Sequence, residues 1–167
     1  MIGRRNDVSF VRMKPLIVLL AIFSICLLVT RFVKGRADVY LSGQVGLSGM
    51  LFFTAMGHFL FSQGMSMMLP EWIPLRTELI YFTGILEIIA AVAILRPRHR
   101  RLTGICLMIF FVLILPANIF AAASNLNYET GTYNGAGLNY LWFRIPFQIL
   151  LLAWTYYFAV RPAKSPM

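Results

Sequence analysis

Two side chains capable of acid–base chemistry interrupt long apolar runs. His58 stands inside Val45–Leu69, and Glu87 stands inside Leu79–Leu95. An ionisable group within an apolar span is costly, so each marks a candidate site. The turn Pro70-Glu-Trp-Ile-Pro74 joins the two runs. His58 lies 12 residues before Pro70, and Glu87 lies 12 residues after Leu75. At 1.5 Å rise per residue, both sit about 18 Å below one surface on adjacent antiparallel helices. A His58–Glu87 hydrogen bond is expected at that depth. One carboxyl and one imidazole can exchange a proton, hydrogen-bond the carbonyls of a quinone, or stabilise a carbocation as in a sterol-isomerase-like site. The residues alone do not choose among these. The structural alternative is a bond that only locks two helices.

The helical faces agree with an inward Glu87. Thr83, Gly84, Ala90 and Ala91 lie three and four residues to either side of it, a strip of small side chains that permits close packing. His58 shares its face with Thr54 and Ser62, and Gly57 with Gly64 forms a small seam beside it. Glu78 points to the opposite face, near the surface. Thr54, Ser62, Thr83 and Glu78 are therefore secondary candidates. Nearer the same surface, Asn118 interrupts Leu102–Ala123, and Arg144 and Gln148 form an i,i+4 pair around Pro146. Together they predict a polar pocket open to one side of a membrane: Arg144 and Gln148 at the mouth, Asn118 below, His58 and Glu87 at the floor. Against this, Asn118 and Gln148 can simply bond helix to helix, and Arg144 can snorkel.

Other chemistries find no support. Cys26 and Cys106 are isolated in apolar runs and read as small buried hydrophobes; no C-x-x-C and no metal-ligand spacing occurs, so no metal is expected. A bis-histidine haem needs two facing histidines, and His99 lies in the basic turn Arg96-Pro-Arg-His-Arg-Arg101. No H-E-x-x-H, G-x-S-x-G or Gly-rich phosphate loop is present.

The elements that must position these groups are membrane helices. The chain has 167 residues, 59% hydrophobic and only 13% charged, with mean hydropathy +0.75. A soluble domain carries about a quarter charged residues. Five apolar stretches recur: Leu16–Thr30 (extendable to Val33), Val45–Leu69, Leu79–Leu95, Leu102–Ala123 and Leu141–Val160. The last four are close to the ~20 residues that a spanning helix needs, and the first is short. None alternates with period two, which argues against a β-barrel.

In a soluble chain, a net charge of +9 would suggest nucleic acid. Here it reads as topology, and no nucleic-acid partner is expected. Five spans place Arg31, Lys34, Arg36, the Arg96–Arg101 turn, Arg161 and Lys164 on one side, which the positive-inside rule makes cytoplasmic. Arg4, Arg5, Arg12 and Lys14 oppose that bias, a conflict that eases if translation begins at Met13.

The motifs also form a series. Gly57-His-Phe59 precedes Met68-Leu-Pro-Glu-Trp-Ile-Pro74, then Tyr81-Phe-Thr-Gly-Ile-Leu-Glu87, Leu95-Arg-Pro-Arg98, Leu115-Pro-Ala-Asn118 and Trp142-Phe-Arg-Ile-Pro-Phe-Gln148. From about Ser48 to Phe158 this order resembles the DoxX family of small bacterial membrane proteins. The resemblance implies an all-α polytopic bundle with a four-helix membrane core over 45–160. To this the chain adds an N-terminal transmembrane helix at 15–33, a tail at 1–14 and a tail at 161–167. It further implies residence in the bacterial inner membrane and a quinone- or redox-associated accessory role beside oxidoreductase subunits. His58 and Glu87 would bond a quinone head group, lined by Asn118, Arg144 and Gln148. A small-molecule or lipid carrier or isomerase using the same pocket, and a non-catalytic scaffold, remain the alternatives. The oligomeric state stays open.

Overall fold

Short polar connections punctuate the apolar runs, and the helices follow from that punctuation. A computed structural model describes residues 3–161, with side chains from Met13 onward. The helices are α1 (Gly3–Lys34), α2 (Val39–Leu60), the short α3 (Ser62–Ser66), α4 (Arg76–Ala93), α5 (Arg100–Ala123) and α6 (Leu141–Thr155). A 3₁₀ turn, Gly137–Tyr140, leads into α6, and a π-helical turn, Tyr156–Val160, ends it. Among the described residues the only β-type pairing is an isolated bridge between Asn127 and Thr132.

Four helices are long and apolar enough to cross a membrane: Met13–Lys34, Val39–Leu60, Arg100–Ala123 and Gly137–Val160. The first apolar stretch, which looked short, is one of them, because its helix takes in Met13 and Lys14 and continues through Arg31. Helical backbone also covers the stretch read as an N-terminal tail, from Gly3 onward; residues 162–167 of the C-terminal tail, Lys164 among them, lie outside the described residues. By contrast, α4 is 18 residues long and carries Arg76, Glu78 and Glu87, too many charges for the same description.

The second run is not one helix. Asp38 caps α2 by accepting the Leu41 N–H at 3.0 Å, so the helix starts before the apolar residues do. It breaks at Phe61 (φ −118°, ψ 28°), where the weak helix formers Ser62 and Gly64 follow. Leu75, held at φ 54° between Pro74 and Arg76, then starts α4 in the reverse direction.

The bundle closes tightly at the end carrying Arg31, Lys34 and the Arg96–Arg101 turn, its basic end. There Leu47, Met50 and Leu51 of α2 meet Ala91 and Ile94, Leu107 and Phe111 of α5, and Phe147 and Leu151 of α6 in one buried cluster. Small residues bring the backbones close enough for side chains to bond them. Ser48 Oγ donates to the Ala91 carbonyl at 2.8 Å, Gln44 Nε2 to the Phe158 carbonyl at 2.9 Å, and Trp154 Nε1 to the Gly43 carbonyl at 2.9 Å. The buried cluster does not extend to the opposite end, where the 124–136 loop lies. Trp72 and Trp142 are both exposed at that end, at 81% and 84% of their surface, as membrane-interface tryptophans are.

Candidate functional site

At the loop end lies a cavity of about 490 Å³. Its walls are mostly apolar: Phe53 and Met56 of α2, Leu79 and Phe82 of α4, and Phe110 and Leu113 of α5. Met56, Phe82 and Leu113 are also exposed. Of the residues picked out from the sequence, Thr54, His58, Thr83, Glu87, Asn118 and Arg144 line this cavity.

His58 is oriented from α4. Its Nδ1 lies 3.1 Å from the Ile80 carbonyl and 3.0 Å from Thr83 Oγ1, while the Thr83 hydroxyl donates to the same carbonyl at 2.8 Å. A carbonyl only accepts, so Nδ1 carries the proton and Nε2 faces the other way. Nε2 then stands 3.7 Å from Glu87 Oε2. That is an ion-pair separation, longer than the expected hydrogen bond. The bond to Glu87 comes instead from Thr54, whose Oγ1 donates to Oε2 at 2.8 Å. Glu87 is only 5% exposed. Thr54, Glu87, His58 and Thr83 thus form one polar floor, Thr54 bonded to Glu87 and Thr83 to His58, with Nε2 and the carboxyl facing each other at ion-pair distance.

Asn118 is fixed from both sides. Its Nδ2 donates to the Ile114 carbonyl at 2.8 Å, which is the helix's own preceding turn, and Tyr140 Oη donates to its Oδ1 at 3.2 Å. Arg144 is half-buried, with its guanidinium 5.9 Å from the centre of the Phe147 ring. Its Nε is fully buried and has no hydrogen-bond partner.

Three sequence candidates lie elsewhere. Gln148 is buried between α5 and α6, where its Nε2 donates to the Phe111 carbonyl, so it ties the bundle and does not reach the mouth. The i,i+4 spacing placed it beside Arg144, but α5 sits against that position. Ser62 follows the break at Phe61, is buried, and pairs with Tyr81 Oη at 3.1 Å outside the cavity wall. Glu78 is exposed on the outer face of α4 and does not line the cavity. The cysteines differ as well: Cys106 is exposed on α5, and only Cys26 is partly buried.

Four polar lining residues were missed: Lys14, Tyr128, Glu129 and Tyr140. Lys14 Nζ pairs with Glu129 Oε1 at 3.1 Å, joining α1 to the loop across 115 positions. Burial raises the Tyr128 phenol above its ordinary pKa, helped by nearby Tyr140 and Glu129 and opposed by Arg144. The loop folds over the cavity as a compact turn: Asn127 Oδ1 accepts the Glu129 N–H at 3.1 Å, and Gly131 takes φ 66°. The only hint in the sequence was the density of Tyr, Asn and Gly in that loop.

No curated protein and no solved structure matches the chain. The family model described as Domain of unknown function (DUF8561) matches residues 47–159. That segment holds every polar group lining the cavity except Lys14, which α1 supplies from outside it, and the chain belongs to this family.

Proposed function

We propose that this protein binds an apolar small molecule with a polar, oxygen-bearing head group, drawn from the surrounding bilayer, and that a quinone-like head is one chemistry the floor fits. The observation carrying this reading is the Thr54–Glu87–His58–Thr83 floor set in an otherwise apolar cavity. An Nε2 and a carboxyl side by side offer both a donor and an acceptor to a carbonyl or hydroxyl oxygen, whichever of them holds the proton. The low-dielectric surroundings strengthen that recognition. The motif order resembling DoxX proteins supports an accessory, redox-associated role beside oxidoreductase subunits.

On this reading α4 crosses the membrane too, its charge carried inward to the cavity at Glu87 and outward to the interface at Arg76 and Glu78. Five crossings put Arg31, Lys34, the Arg96–Arg101 turn and Arg161 together on the cytoplasmic side of the inner membrane. Reporter fusions after Arg101 and Arg161 should both report cytoplasm, and a fusion in 124–136 the opposite side.

A carrier or isomerase reading draws on the same pair, because a shared proton can be handed to a bound molecule. Native mass spectrometry of the gently solubilised protein tests the binding reading. A retained quinone or other apolar small molecule, lost in His58→Ala and Glu87→Gln, supports it. If wild type retains nothing, and both variants lose only thermal stability, the polar floor is a helix lock.

A further inference from the structure

Among the described residues, one cation lining the cavity has no ion-pair partner. Of the charged groups lining it, Lys14 is paired with Glu129 at 3.1 Å. His58 and Glu87 face each other at 3.7 Å and together carry no net charge when they hold one shared proton beyond the Nδ1 hydrogen. Arg144 remains. Among the described residues it has no carboxylate within ion-pair distance, its Nε is buried without a partner, and its contact is the Phe147 ring. A guanidinium that had snorkelled into water would have its nitrogens solvated. Here one is sealed inside the wall of an apolar cavity. Leaving a buried N–H of a charged group without an acceptor costs free energy that a ligand oxygen would recover.

Resting on the cavity being a ligand site, we propose that its ligand carries one anionic oxygen group that pairs with Arg144, with an apolar body against Phe53, Phe82 and Phe110. The planar guanidinium suits a carboxylate or a phosphate, which it can hold through two parallel hydrogen bonds. Two sources supply that chemistry. One is a free acid dissolved in the bilayer, and the other is the phosphate of a phospholipid whose chain enters the cavity.

The test uses the full-length protein in detergent and native mass spectrometry. The probes are dodecanoate, its uncharged methyl ester and a short-chain quinone, with co-purified phospholipid measured in the same spectra. Wild type should retain dodecanoate at least about tenfold better than methyl dodecanoate, the range expected for one charge-assisted pair. That ratio should fall towards one in Arg144→Gln and persist in Arg144→Lys. If one phospholipid per chain is retained instead, and is lost in Arg144→Gln, the anion is a headgroup phosphate. Equal retention of acid and ester by wild type overturns the charge assignment while leaving the cavity a ligand site, and so does retention of the quinone alone. An acid preference that survives Arg144→Gln also overturns it, because another cation would then hold the anion. Retention of no probe and no lipid removes the ligand site itself. The acid-to-ester comparison is made on wild type, so it stands even if a variant fails to fold.

Discussion

Two glycines, adjacent to the same histidine in different ways, separate a real constraint from an apparent one. At Gly84 of α4, an added Cβ would stand 2.8 Å from His58 Cβ and 3.3 Å from Phe59 Cε2. Carbon atoms rest at about 3.5–4.0 Å, so α4 would have to withdraw by roughly 1 Å or push His58 aside. Either movement breaks the Nδ1 contacts of 3.1 Å to Ile80 and 3.0 Å to Thr83. At Gly57 of α2 the nearest atom is Met65 Cε at 3.6 Å, an ordinary contact. Both changes to alanine gain the same helix-propensity term of up to about 1 kcal/mol. Their difference therefore isolates the clash, at about 1–3 kcal/mol for an overpacked interface. At roughly 2–4 °C per kcal/mol for a chain of this size, Gly84→Ala should melt about 2–12 °C below Gly57→Ala. The assay is thermal unfolding in one detergent, followed by native mass spectrometry for retained ligand. Gly57→Ala should match or slightly exceed wild type and keep its ligand. Gly84→Ala should melt lower and lose ligand as His58→Ala does. Melting points within about 1 °C of each other, with equal ligand retention, would refute the claim that close approach of α2 and α4 positions His58.

Further expectations concern the mouth and the floor. Lys14→Gln or Glu129→Gln should cost only about 0.2–1 kcal/mol, because the pair is partly exposed (35% and 20%), yet should speed ligand release measured by exchange with a labelled probe. The swap Lys14→Glu with Glu129→Lys should restore the slower rate. Glu87→Gln keeps an acceptor for Thr54 but loses the ionisable oxygen facing His58 Nε2, so ligand affinity should drop about tenfold with little change in melting point. Gly64→Ala should displace the loop, since its Cβ would run into the Tyr128 carbonyl; faster proteolysis within 124–136 reports it. Tyr128 governs an alkaline effect. Its folded-state pKa is raised above the ordinary 10.0, so the stability it contributes is present below that pH and is lost as pH rises above it. Tyr128→Phe should flatten the fall in melting point on that alkaline limb.

What the amino-acid sequence decided by itself was depth. Rise per residue is nearly constant in a helix, and the Pro70–Pro74 turn gave two runs a common origin. Counting from that turn was enough to bring His58 and Glu87 to one level, and counting apolar residues was enough to mark helices long and apolar enough to cross a membrane. The all-helical architecture followed from the same arithmetic. Rotation was not legible in this way. Whether a residue on a helix faces a cavity or a neighbour depends on how far the helix is turned when it packs. That angle is set by contacts such as Ser48 on Ala91, Gly84 on His58 and Gly104 on Ala159. This is why Gln148 went to the Phe111 carbonyl while Arg144, one turn away, kept the cavity, and why Glu87 took its hydrogen bond from Thr54 and left His58 at ion-pair distance. Lys14 and Glu129 show the limit most clearly. They sit 115 positions apart, and no local periodicity relates them. Only when α1 lies along α2, and the 124–136 loop folds back over the cavity, do the two charges meet at its mouth.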